Sequence, residues 1–270
     1  GKLVGVSDDA LTSDGFTIQS ADVATVGDFT NVNLESIVAL EPDFVIMTSG
    51  TGGRGGDSSQ ADLREALVAS GIPVAYFEVT TFEDYLRMMR TFADITGDEA
   101  AYEQNAGSLE EAVKKIVGEV PADQDVTALV MTTFSGGTRV QNSGTMTGAM
   151  LADLGVRNLA DENPSLLKDF SLESVIEFNP DYIFVIPMGN DVEAATANLN
   201  EATAANPAWS TLSAVQNGNY IVLDPMLFLS KPNAHWDDAY QTLFDELYNE
   251  KDRRRIGEKS VKDEQVTSEA

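Results

Sequence analysis

Residues 34–46 read LESIVALEPDFVI, and residues 172–184 read LESVIEFNPDYIF. The two stretches lie 138 residues apart, about half of a 270-residue chain, so the repeat has the scale of a duplicated lobe and not of a solenoid period. Each copy spells an amphipathic helix, a Pro-Asp turn and an apolar run. Proline stops a helix and biases the residue before it toward extended backbone. The runs Phe44-Val45-Ile46 and Tyr182-Ile183-Phe184-Val185-Ile186 are short and continuously apolar, as a strand covered on both faces should be. Two equivalent α/β lobes with a cleft between them follow from this pattern.

The flanking sequence alternates in the same way. In the first half, residues 3–6, 24–26, 44–47 and 72–77 read as strands and 34–40 and 60–70 as helices. A long helical stretch opens at Thr81, with Phe82, Tyr85, Leu86, Met89 and Phe92 at helical spacing. Gly97-Asp98 breaks it, and a second long helix is expected over 99–119. The second half offers strands at 127–132, 182–186 and 220–223, and helices at 146–154, 172–178, 190–204 and 234–248. Alternating βα units predict an α/β fold with mainly parallel sheets. The expected organisation is an N-terminal lobe 1–98, a connecting helix 99–120, a C-terminal lobe 121–250 and a charged tail 251–270. The tail, with KDRRR and little apolar content, reads as disordered or linker sequence.

Composition narrows the chemistry. There are 17 Lys and Arg against 44 Asp and Glu, a formal charge of −27, which disfavours nucleic acid and anionic membranes as partners. Cysteine is absent, which excludes disulfides, thiol nucleophiles and Cys-ligated metal within these residues. No run approaches the roughly 18 apolar residues of a membrane span, and no secretory leader pattern opens the chain. Either the protein is cytosolic or a targeting segment precedes Gly1. Only eleven basic residues lie before residue 251; Arg54, Arg139 and Lys231 among them fall in expected loops.

The most conspicuous motif is Gly50-Thr51-Gly52-Gly53-Arg54-Gly55, part of a stretch with five glycines in seven positions. It fits G-x-G-x-x-G after a strand and before a helix, with Glu78 closing the next strand, the pattern of a dinucleotide-dependent enzyme. The helix starts later than that tight turn requires, and a ligand-facing loop at a strand's C-terminal end fits the same residues. His235 is the only histidine, so neither a zinc site nor a Ser-His-Asp triad is supported. No catalytic residue, metal or cofactor is assigned. Glu35 and Glu173 occupy the same position in both copies. Charge favourable to a helix N-terminus explains them, and so does a pair of acidic knobs for a two-fold symmetric partner.

NLESIVALEPDFVI followed by GIPVAYFEVTTFEDYLRMM resembles the first lobe of the substrate-binding proteins of ABC importers for ferric siderophores, haem and vitamin B12. GTMTGAMLADLGVRNLAD, SLESVIEFNPDYIFVIPMG, NPAWSTLSAVQNGNYIVLD and LFLSKPNAHWDDAYQTL resemble the second. The resemblance runs in order over about residues 1–248 and implies two Rossmann-like lobes joined by a single long helix. It also implies a monomer, extracytoplasmic as a periplasmic protein or cell-surface lipoprotein, that docks on a dimeric permease through Glu35 and Glu173. It departs from the family at its start, where a strand and helix are missing. At the positions where some haem-binding members carry a Met and a His ligand stand Thr30 and Met188 respectively, so neither ligand is retained, and His235 stands where relatives often have Arg. The expected function is capture of an iron complex, a ferric siderophore before haem or a corrinoid. The expected pocket draws on Phe29, Thr30, Arg54, Glu78, Phe134, Arg139, Gln141, Met188, Phe228, Lys231, His235 and Trp236. The cations would offset chelate charge, and the aromatics would cover its flat faces.

Overall fold

A computed structural model describes residues 3–12, 18, 22–28, 31–48, 59–168, 170–189, 192–229 and 232–249. The chain forms two compact units that meet in sequence at Val79 and Thr80.

The first unit is built on two short parallel strands, Val45–Thr48 and Val74–Phe77. Alternate residues of the two strands, Val45, Met47, Val74 and Tyr76, pack with Ile37, Leu67 and Ile72 from the helical side. The other face differs from expectation. Phe44 is 39% exposed and Ile46 51%, so this strand is not covered on both faces although its letters match those of the second copy. Two further strand pairs complete the unit: Gly5–Val6 with Ala24–Thr25, parallel, and Gly27–Asp28 with Asn31–Val32, antiparallel.

The second unit holds a five-stranded sheet. Tyr182–Pro187 lies parallel between Tyr220–Val222 and Thr127–Phe134. The far edge of Thr127–Phe134 takes Gly137–Gln141 antiparallel and Arg157–Asn158 parallel. Every residue of Tyr182–Pro187 is buried. One face, with Leu129, Met131, Ile183 and Val185, packs on Leu159, Leu166, Val175, Leu199, Trp209 and Leu212. On the other, Tyr182 and Phe184 stack 5.8 Å apart, and Tyr182 donates its hydroxyl to the Leu247 carbonyl of the last helix, Trp236–Tyr248. Cover on both faces is why the sequence here is apolar without alternation; each such side chain contributes about 1.5–3 kcal/mol on burial.

The repeat folds alike at its helix ends. Asn33 Oδ1 accepts from the Ser36 N–H, and Ser171 Oγ accepts from the Ser174 N–H, so both helices, Leu34–Ala39 and Leu172–Phe178, start on a side-chain cap. Past their C-termini, Glu41 and Asn179 take φ of 46° and 42°. The residue before each proline is therefore left-handed and not extended: the turn reverses the chain within one residue, a conformation asparagine tolerates better than glutamate.

The helix Phe82–Thr96 begins with a capping box. Asp84 accepts from the Thr81 and Thr80 N–H groups at 3.0 and 3.1 Å while Thr81 Oγ1 accepts from the Asp84 N–H. Gly97, left-handed at φ 72°, ends it. Its buried face meets the last helix: Phe82 lies 5.4 Å from Trp236 and 6.1 Å from Tyr240, and Tyr85 lies 5.9 Å from Trp236. These contacts give the helix to the second unit and not to the expected N-terminal lobe 1–98. The expected long helix runs as Glu99–Tyr102, a π-turn over Glu103–Gly107, and Ser108–Gly118. Tyr85 Oη donates to the Asn105 carbonyl within the π-turn at 2.6 Å. The tail 251–270 lies outside the described residues.

Candidate functional site

Parallel sheets bind ligands beyond the C-terminal ends of their strands, and in the second unit that end is built by few residues. The central pair finishes in register, Pro187 opposite Thr133, and the Met188 N–H donates to the Thr133 carbonyl at 2.7 Å. Met188 and Phe134 therefore leave the sheet side by side, Phe134 half-buried at the strand's last position. The strand then reverses through Ser135-Gly136 into Gly137–Gln141. This hairpin carries the exposed Arg139 back over the Phe134 ring, guanidinium carbon 5.1 Å from the centroid, a cation–π arrangement. Asn198 Nδ2 donates to the Ser135 carbonyl at 2.7 Å and pins the turn.

Three of the expected site residues thus converge: Phe134, Arg139 and Met188. Gln141 does not join them. It sits four pairs back from Phe134 along the hairpin, opposite Val130, and its amide donates to Thr132 Oγ1. Residues Phe29, Thr30, Arg54 and Lys231, and the glycine-rich loop 50–56, lie outside the described residues. Glu78 is exposed just past the strand Val74–Phe77 of the first unit.

Phe228 and Trp236 require correction. Phe228 is 3% exposed, at the end of the short helix Pro225–Phe228, and its carbonyl accepts from the buried Thr147 hydroxyl at 2.9 Å. Trp236 is 0% exposed among Phe82, Tyr85 and Tyr240, its indole Nε1–H without a hydrogen-bond partner. Both are core side chains. His235, the residue before Trp236, is exposed, with Nδ1 2.9 Å from Asp238 Oδ2.

The sequence reading passed over Thr133 and Asn198. Thr133 is fully buried at the strand end, with Oγ1 lacking a partner; a hydroxyl interrupting an apolar strand was the available signal. Among the described residues no group of three or more His, Asp or Glu side chains is arranged to hold a metal, and no helix is long and apolar enough to cross a membrane.

The second feature with functional geometry is the pair of capped helix starts. Glu35 and Glu173 each occupy the first turn and are exposed. The Glu173 backbone N–H, and after it the Ser171 hydroxyl donating at 2.8 Å, hold the Glu173 carboxylate below the usual range, so it is charged at neutral pH.

Comparison with known proteins agrees with this architecture. The family model described as periplasmic binding protein matches residues 3–227. The chain is 24% identical over 246 residues to the iron(3+)-hydroxamate-binding protein FhuD of Bacillus subtilis (strain 168), covering 84% of this chain and 69% of that protein. In fold it is similar to an ABC transporter substrate-binding protein from Listeria monocytogenes EGD-e, with a TM-score of 0.70 at 20% identity over 92% of each chain. It is similar as well to the periplasmic haem-binding protein HutB of Vibrio cholerae, with a TM-score of 0.65 at 25% identity over 91% of this chain and 90% of that one. The chain belongs to the periplasmic binding protein family, with the substrate-binding proteins of ABC transporters.

Proposed function

We propose that this protein captures a ferric siderophore outside the cytoplasm and hands it to the permease dimer of an ABC importer. The observation that carries the reading is the matched pair of capped helix starts, each presenting an exposed carboxylate one residue into the helix: Asn33-Leu34-Glu35-Ser36 and Ser171-Leu172-Glu173-Ser174. A two-fold symmetric partner needs equivalent contacts from both units, and Glu35 and Glu173 supply them. The ligand assignment draws support from the likeness to FhuD and from the Arg139–Phe134 pair. That pair offers an aromatic face and a cation to a compact chelate with negative oxygens. The protein works as a monomer, periplasmic or anchored to the cell surface by a lipid.

Haem is the second reading. The likeness to HutB and the placement of Met188 at the strand end, beside Phe134, favour it, with Met188 or His235 as ligand to the iron.

The docking role is tested with Glu35→Ala and Glu173→Ala combined, in cells expressing the cognate importer. Uptake of the iron complex falls to the level of cells lacking the binding protein, while ligand affinity in solution is unchanged; lost affinity, or unchanged uptake, contradicts the role. An absorption spectrum of protein purified from its native host separates the ligands, because a ferric siderophore, haem and a corrinoid absorb differently.

A further inference from the structure

The charge of the chain is unevenly spent. Before residue 251 there are eleven basic residues against 39 acidic ones, so an excess of 28 carboxylates remains even if every cation neutralises one acid. Four of the described cations are engaged with acids: Arg87 with Asp84, Arg90 with Glu99 and Asp94, Lys114 with Glu110, Arg157 with Asp125 and Glu162. These pairs are largely exposed and local, and they leave the bulk excess untouched. The excess is not one patch. Exposed acids stand on both units and on many elements, among them Glu65, Asp98, Glu111, Asp123, Glu177 and Glu201. A docking surface for a basic partner concentrates its charge, whereas a distributed acidic exterior repels itself everywhere and works against the compact state.

We infer that this protein is built for a concentrated-salt medium, whose ions screen the repulsion within its acidic exterior. Like charges repel over a screening length of about 10 Å in 0.1 M salt and about 3 Å in 1 M salt. In dilute buffer each exposed carboxylate therefore feels several neighbours, and in concentrated salt almost none. A native state held by only about 5–15 kcal/mol is sensitive to that difference. The same screening removes long-range attraction for a charged ligand or permease. Recognition must then rest on short-range groups such as the exposed first-turn carboxylates Glu35 and Glu173 and the stacked Arg139.

The test is thermal unfolding of the full chain, without ligand, in about 0.1 M and about 2 M NaCl and the same concentrations of KCl. Circular dichroism reads both units and tryptophan fluorescence reads the second, which holds Trp209 and Trp236. Tm is expected to rise by roughly 10 °C or more across that range. The comparison variant combines Glu111→Lys, Glu119→Lys, Glu177→Lys and Glu201→Lys, all exposed, moving the net charge from −27 to −19. Its Tm is expected to climb less steeply with salt. A wild-type Tm that is flat or falling between the two concentrations overturns the inference. An equal slope in the variant overturns it as well, because the rise would then owe nothing to carboxylate repulsion.

Discussion

Asp181 separates the two copies of the repeat energetically. Its Oδ2 accepts from the Thr127 N–H at 2.9 Å and from the Thr127 hydroxyl at 2.7 Å, tying the Pro-Asp turn of the second copy to the first residue of the central strand. Asp43, at the matched position of the first copy, is exposed. Asp181→Ala removes two charge-assisted bonds and leaves a half-buried strand N–H without its acceptor. Bonds to charged groups are worth about 1.5–3 kcal/mol each and are not additive when one residue makes both, so the expected cost is about 2–3 kcal/mol. For a unit of this size that is a fall in Tm of roughly 5–10 °C. Asp181→Asn keeps one acceptor oxygen and is expected to cost about half as much. Asp43→Ala is expected to stay within about 0.5 kcal/mol. Urea unfolding followed by tryptophan fluorescence reads the second unit directly, and circular dichroism covers the first. Equal costs at the two positions, or a cost at Asp181 below about 0.5 kcal/mol, would refute the claim that the turn aspartate anchors only the second sheet.

Two further outcomes follow from the helix Phe82–Thr96. Trp236→Ala empties the aromatic cluster with Phe82, Tyr85 and Tyr240 and is expected to cost about 3–5 kcal/mol, with Trp236→Phe far milder; a loss under about 1 kcal/mol for the alanine variant would return Trp236 to the pocket wall. Partial burial pulls the Asp84 carboxyl upward, but the Thr81 and Thr80 N–H groups, the Thr81 hydroxyl and Arg87 outweigh it and hold the group below its ordinary value. A depressed carboxylate stabilises the fold above its unfolded pKa of about 3.9 and loses that contribution as pH falls through the folded value. The stability gap between wild type and Asp84→Asn, measured by urea unfolding, is therefore expected to be full at pH 6 and to close in strong acid; a gap that widens in acid contradicts the assignment.

The run Tyr182–Ile186 could be read as a buried strand because cover on both faces leaves no polar position in it. Phe44–Ile46 carries equivalent letters, yet Phe44 and Ile46 are exposed, because a run of apolar residues records hydrophobicity and not how many layers cover it. The helix caps were legible in the local letters Asn33 and Ser171. The left-handed turns at Glu41 and Asn179 were not, because Pro42 and Pro180 forbid helix without dictating which alternative follows. Trp236 and Phe228 read as loop aromatics until the helix at Phe82, some 150 residues earlier in the chain, closes over Trp236. That contact is tertiary and leaves no trace in nearby sequence. Phe134 and Arg139 were named singly; the hairpin that stacks them is a matter of strand register.

The central claim is that this chain binds an iron chelate and is not an enzyme acting on a dinucleotide. Its most direct test is an equilibrium titration of the purified protein with a ferric hydroxamate, haemin, cobalamin and NAD(H), each read calorimetrically in concentrated salt. The account predicts saturable one-to-one binding of the ferric hydroxamate, weakened at least about tenfold by Arg139→Ala, a loss of about 1.4 kcal/mol. Saturable binding of NAD(H) alone, with no response to any iron complex or corrinoid, would contradict it.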